Sequence, residues 1–277
     1  MSIITLTTDF GLKDHSVATV KGAILNILNN PTIVDISHLI TPFNIIEAAY
    51  IIRNAYKSFP KGSIHIIGVD AEHTPENKHL AMELDDHFFI CADNGIMSLV
   101  ASQIKPAEIV EIDIHNSIQT SFTLLDVFVY VATHLAKGGK LDVIGRPVDN
   151  LKHLKYIQPQ ISDQEDQIIG HVVYIDNFGN LITNVTKHLF EKYQNGRKFT
   201  ITARNIKFNK LYKSYSDAID FSQTAANRQS SGKKIALFNS ANFIELSLYK
   251  SNPQKSGGAS SLFGIELMDT ININFYE

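Results

Sequence analysis

The sequence predicts an α/β N-terminal domain, a largely parallel sheet flanked by helices, followed by a smaller, mostly β C-terminal domain of barrel or sandwich type. Two observations predict the first part. Apolar runs alternate with amphipathic stretches, and the runs are continuously apolar, the pattern of parallel strands covered on both faces. A third predicts the second part. Beyond a polar, apolar-poor stretch from Tyr156 to Gln167, short strands alternate with turn residues and helical patterns are few. The expected domains are residues 1–160 and 168–277.

Taken in order, Ile3 to Leu6 reads as a buried strand, followed by a polar turn. Val17, Val20, Ile24, Ile27 and Leu28 then recur at helical spacing, and Asn30-Pro31 stops that helix. Thr32 to Ile36 is a β-branched strand. Thr41-Pro42 is expected to open a second helix as N-cap and first-turn proline, with Ile45, Ala48, Ala49, Ile52 and Tyr56 on one face. Ser63 to Val69 is another apolar strand. Leu80–Leu84 and Phe88–Cys91 are strands joined by a hairpin-type turn at Asp85-Asp86. Asp93-Asn94-Gly95 precedes a short helix from Ile96 to Ser102, and Glu108 to Ile114 is a strand. Leu124 to Ala136, closed by Gly138-Gly139, has the length of a buried helix. In the second domain the expected strands are His171–Ile175, Leu181–Asn184, Phe199–Thr202, Ile235–Phe238, Phe243–Leu248 and Ile271–Phe275.

At 277 residues, 44% hydrophobic and 19% charged, the chain has the makings of a soluble protein with a sizeable core. A net charge of −3 gives no electrostatic reason to expect nucleic acid or an anionic membrane as partner. Cys91 is the only cysteine, which excludes an intrachain disulfide and a thiolate metal cluster. No histidine pair has the spacing of a zinc helix motif, and His73 and His79 are expected on a surface loop, so no metal site is expected. Met-Ser-Ile-Ile lacks a basic, apolar leader, and no stretch approaches the ~18 apolar residues of a membrane span. A cytoplasmic enzyme or binding protein is the expectation.

Two stretches carry the chemistry. The first is Leu6-Thr7-Thr8-Asp9-Phe10-Gly11, with Asp14, Ser16 and Lys21-Gly22 after it. Asp9 stands at the carboxyl end of a strand, where open α/β sheets bind small ligands. An acceptor-only carboxylate there suits a sugar diol or an ammonium group; equally, Asp9 and Asp14 suit the capping of the following helix. Asp-Phe-Gly also occurs in protein kinases, but no glycine-rich loop precedes it and no His-Arg-Asp follows. The second is Tyr174 to Asn184, where Asp176, Phe178, Gly179 and Asn180 put an ionic group, a flat apolar face and an amide within a few residues. Adenine needs such a face and such an amide. A β-turn with a core phenylalanine fits the same residues.

The first stretch resembles the opening motif of the S-adenosylmethionine (SAM) hydrolases, whose relatives are the SAM-dependent fluorinases and chlorinases. The second resembles the family's Asp-x-Phe-Gly-Asn segment, Asn239 to Glu245 its Asn-Ser-x-Gly-x-Leu-Glu segment, and Ile40-Thr41-Pro42-Phe43 the segment opening its second helix. Asp93-Asn94-Gly95 also matches a family motif. The resemblance implies substrate-binding roles for Asp9, Asp14, Ser16, Phe43, Asn94 and Phe122, with Asp9 on the ribose diol. It implies the same for Asp176 on the methionine amine, Phe178 and Asn180 on adenine, and Ser240 on the amino-acid end. Core packing is the other reading of Phe43. Asn242 replaces the usual glycine and suits a left-handed backbone. The resemblance further implies a homotrimer with active sites between subunits, SAM as substrate, and no cofactor.

The family's water-orienting Asp, Arg and His map onto Asp70, Asn77 and Thr123, so only the aspartate is kept. Water displaces neutral methionine from a sulfonium, and no general acid is needed at the leaving group. Losing two members costs roughly 10²- to 10⁴-fold, the usual worth of acid–base assistance. Lys78 and His79 are adjacent candidates to substitute for them. A halogenase reading is weaker, because Leu124 falls where a small or hydroxyl residue would coordinate halide and no long insertion separates Leu84 from Phe88. Two hypotheses follow: hydrolysis of SAM to adenosine and methionine assisted by Asp70, or a SAM- or adenosine-binding protein with degenerate or no catalysis.

Overall fold

The computed structural model describes residues 3–101, 104–114, 120–154, 157–224, 228 and 230–277. The chain divides into two compact units, Met1–Lys155 and Tyr156–Glu277.

In the first unit β1 (Ile3–Thr8) leads through a polar turn into α1 (Ser16–Ile27), then β2 (Thr32–Ser37), α2 (Ile45–Ala55) and β3 (Ile64–Gly68). β4 (His79–Leu84), β5 (His87–Ala92), α3 (Ile96–Ala101) and β6 (Glu108–Ile112) follow. A π-helical turn over Leu124–Phe128 runs directly into α4 (Val129–Ala136), and β7 (Gly145–Pro147) closes the sheet. The strand order is β2-β1-β3-β5-β4-β6-β7. Apolar side chains of β1 and β3, among them Ile4, Leu6, Ile64 and Ile66, join Val20 and Ile24 of α1 and Phe128, Val131 and Ala132 of the π turn and α4 in one buried cluster. Burial of each large aliphatic is worth about 1.5–3 kcal/mol, which orders these strands more than their intrinsic propensity does.

The sheet is mixed, which corrects the largely parallel expectation. β2, β1, β3 and β5 run parallel, whereas β4, β6 and β7 join antiparallel. The reversal begins at the Asp85-Asp86 turn, where both residues have positive φ (54° and 62°), the geometry of a tight hairpin. Burial on both faces gives a strand the same apolar texture whichever way its neighbour runs.

Local departures have equally local causes. Thr41-Pro42 does not cap α2. Asn44 does, its side-chain oxygen accepting from Glu47 N at 3.0 Å, while Thr41 and Phe43 form the turn before it. His79 is not on a surface loop: it is fully buried as the first residue of β4, its ring edge-on to Phe128. Ser102, the expected last residue of α3, lies outside the described residues, as does Tyr156 at the start of the polar stretch. The rest of that stretch contains the short strand β8 (Gln160–Ile161), paired with the next strand. Cys91 sits buried on β5.

The second unit contains β9 (Gln167–Ile175), β10 (Leu181–Thr186), α5 (Lys187–Gln194), β11 (Lys198–Ala203), β12 (Ile206–Phe208), β13 (Lys234–Phe238), β14 (Phe243–Leu248), α6 (Ala259–Phe263) and β15 (Thr270–Tyr276). Its antiparallel sheet has the order β12-β11-β15-β9-β10-β14-β13. The sheet curls until β12 touches β13, a nearly closed barrel around Ile168, Val172, Leu181, Ile244, Ile271 and Ile273. Helix α5 was not expected from the sequence. Thr186 caps it by accepting from Leu189 N at 3.2 Å, and Asn195 ends it at φ 40°. Among the described residues no helix is long and apolar enough to cross a membrane.

Candidate active site

β1 connects to β2 on one side of it, and the chain then crosses to β3 on the other. Adjacent parallel strands whose connections diverge leave a crevice at their carboxyl ends, and Thr8 and Gly68 are the paired last residues there. A cavity of about 420 Å³ opens at that point. It is lined by Asp9 and Phe10 after β1, Phe43 before α2, Gly68 to Glu72 (except Val69) after β3, and Thr120 to Leu124 at the π turn. That volume suits a ligand of nucleoside size or somewhat larger.

Asp9 does not cap α1. The cap residue there is His15, with no side-chain cap bond, and Asp14 is exposed. The Asp9 Oδ2 atom instead accepts from Phe43 N at 2.9 Å. Phe43 has φ 63° and its ring is 72% exposed, which removes the core reading. Gly11, at φ +71°, makes the turn possible and donates its N–H to His38 O at 2.7 Å. Phe10 and Phe122 meet edge to face, centroids 5.6 Å apart, as one apolar wall. Phe122 is held by its own N–H, which donates to Thr120 Oγ1 at 2.8 Å, and the Thr120 hydroxyl donates to Asp126.

Asp70 has a left-handed backbone (φ 46°), a conformation that costs of order 1–3 kcal/mol and persists only where its surroundings impose it. The surroundings are identifiable. The buried Asn94 amide donates to Val69 O at 3.0 Å and Asp70 O at 3.2 Å, while Asn94 Oδ1 accepts from Ile96 N at 3.1 Å. Asn77 Nδ2 donates to Asp70 O at 3.2 Å and Glu72 O at 3.3 Å. His79 Nε2 lies 3.0 Å from Ala71 O, which can only accept.

The structure therefore brings Asp9, Phe43, Asp70, Phe122 and Thr123 to one cavity. Asn77 and Asn94 are not among the lining residues; the Nδ2 group of each donates to backbone carbonyls of the strand-end segment. Asp14 and Ser16 are not among the lining residues. Sequence reasoning missed Gly68, Glu72, Thr120 and Ser121. Gly68 carries a geometric signal, since a Cβ there would stand 2.6 Å from Leu124 Cδ1. Among the described residues no group of three or more His, Cys, Asp or Glu is placed to hold a metal ion.

In the second unit, the turn between β9 and β10 is knotted around Asp176. Its Oδ1 accepts from Phe178 N at 2.9 Å and Asn180 N at 2.8 Å, and its Oδ2 from Asn180 Nδ2 at 2.9 Å. The Phe178 ring is 61% exposed, so it is no core residue. Gly179 (φ +73°) packs so closely on Gly258 that an added Cβ would lie 2.8 Å from its Cα. Ser240 is exposed in the β13–β14 turn, where Asn239 Oδ1 accepts from Ala241 N and Phe243 N and Asn242 takes the left-handed backbone (φ 62°). Glu245, within the quoted motif but given no role, is buried on β14 and accepts from the Tyr215 hydroxyl. Burial and the nearby Asp176 outweigh that bond and push the Glu245 carboxyl up to about 7.

Comparison with known proteins decides the family. Residues 4–145 match the profile of the SAM hydroxide adenosyltransferase N-terminal domain, and residues 170–272 match that of its C-terminal domain. The chain belongs to this family. A SAM hydroxide adenosyltransferase relative from Methanocaldococcus jannaschii, named (R)-S-adenosyl-L-methionine hydrolase, is 31% identical over 99% of this chain and 96% of its own. A protein named fluorinase from an Actinoplanes species is 25% identical over 69% of this chain and 74% of its own. The crystal structure of an uncharacterized conserved protein from Thermotoga maritima superposes with a TM-score of 0.81 at 27% identity, covering 99% of this chain and 100% of that one.

Proposed function

We propose that this SAM hydroxide adenosyltransferase family member hydrolyses SAM to adenosine and L-methionine. One observation carries the reading: Asp9, Phe43, Asp70, Phe122 and Thr123, named from sequence motifs, line one nucleoside-sized cavity at the carboxyl ends of β1 and β3. Water attacks the ribose C5′ as the C5′–S bond breaks and its electron pair passes to sulfur. Methionine leaves neutral, so neither a general acid nor a cofactor is needed. The chain's contribution is to exclude bulk water, align the nucleophile and accept its proton, with Asp70 in the last role and Asp9 on the ribose diol.

Among the described residues the lining includes Asp9, Asp70 and Glu72 and no Lys, Arg or His. Such a field attracts a sulfonium cation and repels halide, which favours water as nucleophile over the chemistry named for the fluorinase relatives. The second reading, a SAM- or adenosine-binding protein without turnover, is favoured by one observation. Asn77, in the family's arginine position, spends its amide on backbone carbonyls. We take the enzyme reading with turnover roughly 10²- to 10⁴-fold below that of a complete Asp/Arg/His set. Incubation with SAM, followed by chromatography for adenosine, separates the two. Saturable SAM binding with release no faster than in buffer refutes hydrolysis.

The finer reading rests on the family resemblance. The helices cover both faces of the first sheet, the chain works in the cytoplasm as a homotrimer without nucleic-acid or membrane partners, and each site takes its amino-acid and adenine contacts (Asp176, Phe178, Asn180, Ser240) from the second unit of a neighbouring copy. Mixing inactive Asp70→Asn and Asp176→Asn chains after dissociation restores part of the activity if sites are shared, and none if each copy works alone.

A further inference from the structure

We propose that Glu72 is a second catalytic carboxylate, acting with Asp70 on the attacking water; the inference rests on the hydrolase reading above. The family pattern, as the sequence resembles it, carries glycine where this chain has Glu72, and arginine and histidine where it has Asn77 and Thr123. Two basic groups are gone and one acid is gained, and the gained acid lines the same cavity as Asp70 and Thr123.

The strap that carries both acids is fixed by side chains from three places. Consecutive carbonyls from Val69 to Glu72 are each taken: Val69 O by Asn94, Asp70 O by Asn94 and Asn77, Ala71 O by His79, and Glu72 O by Asn77. A pinned backbone limits where the side chains at 70 and 72 can reach, and both residues line the cavity, one on each side of Ala71 in the chain. The amide of Asn77, in place of a guanidinium, supports the strap without neutralising either acid.

This arrangement suits a neutral nucleophile. A water that donates one hydrogen to each of two carboxylates has both lone pairs turned away from them, towards an electrophilic carbon. As the O–C5′ bond forms and the C5′–S bond breaks, sulfur takes the bonding pair and becomes a neutral thioether. The oxygen loses one proton to a carboxylate, which returns it to solvent. Glu72 is exposed and suited to that return.

The test uses the full chain. Wild type, Glu72→Gln and Glu72→Asp are assayed for adenosine release over a range of SAM concentrations, with thermal melting as a check on folding. We expect Glu72→Gln to melt like wild type, to lose about 10²-fold in kcat, the lower end of acid–base assistance, and to keep KM within about threefold. Glu72→Asp recovers part of kcat. An unchanged kcat in Glu72→Gln, or a change confined to KM, overturns the role of Glu72 while leaving hydrolysis intact. Wild type that binds SAM and releases no adenosine fails the hydrolase reading itself, and the inference with it.

Discussion

Replacing Asn94 with alanine removes three hydrogen bonds from one buried side chain: two donated to Val69 O and Asp70 O, one accepted from Ile96 N. At about 0.5–1.5 kcal/mol net for each, the loss is roughly 2–4 kcal/mol. For a unit of this size that corresponds to a fall in melting temperature of roughly 5–15 °C. The same change removes one of the two amides that hold Asp70 O and leaves only Asn77 on it, which loosens a left-handed backbone whose strain is about 1–3 kcal/mol. A carboxylate displaced by ~1 Å from its water costs about 10²-fold in rate. Asn94→Ala is therefore expected to melt early and, assayed well below its melting point, to turn over SAM about 10²-fold more slowly at nearly unchanged KM. Calorimetry and adenosine release measure the two effects separately. A variant that melts early yet keeps wild-type kcat refutes the idea that the amide positions Asp70, and leaves Asn94 as packing alone.

Phe178→Ala is expected to leave the melting temperature within about 1–2 °C, because the ring is 61% exposed, while raising KM for SAM about tenfold or more through lost stacking. An unchanged KM removes Phe178 from the adenine site. Glu245 gives a pH signature. Its folded-state pKa of about 7 lies above the ordinary value of 4.5, so the folded chain holds more protons between those limits. The stability contributed by the protonated carboxyl is complete below the ordinary value and is lost as pH rises through about 7. Glu245→Gln, which keeps an acceptor for Tyr215, should flatten that slope in melting experiments and stabilise the chain at pH ~8.5, and an identical slope in the variant refutes the assignment. Asp70→Asn should abolish adenosine release and leave SAM affinity within severalfold, and a large loss of affinity would instead make Asp70 a binding residue.

The site was legible in the sequence where chemistry and topology coincide. Asp9 follows an apolar strand, where open α/β sheets bind small ligands, whereas Asp70 stood out only through the family resemblance. Asn77 and Asn94 were not legible as positioning residues, because an amide reads alike whether it faces a ligand or a neighbouring loop, and their partners Val69 to Glu72 are brought to them only by tertiary folding. Glu72 was overlooked among the replacements at 77 and 123, since a charged residue in a polar loop is ordinarily solvated. The parallel reading of the sheet overreached for a different reason. Leu80 to Leu84 differs little in texture from the buried parallel strands, and the positive-φ aspartates of the Asp85-Asp86 turn mark the reversal. Helix α5 is not legible because it spans only Lys187–Gln194 and buries a single residue, Phe190, so no helical period stands out between its caps Thr186 and Asn195.

The solitary cysteine offers a clock for half of the molecule. Cys91 is buried near the end of β5, and its burial, with Asp93 nearby, pushes the thiol well above its usual range. Only the thiolate attacks maleimides and aromatic disulfides, so the native chain presents them with almost nothing to modify. Labelling of Cys91 proceeds when the strand is laid open, and its rate counts openings of residues 1–155 without any signal from the barrel, which has no sulfhydryl of its own.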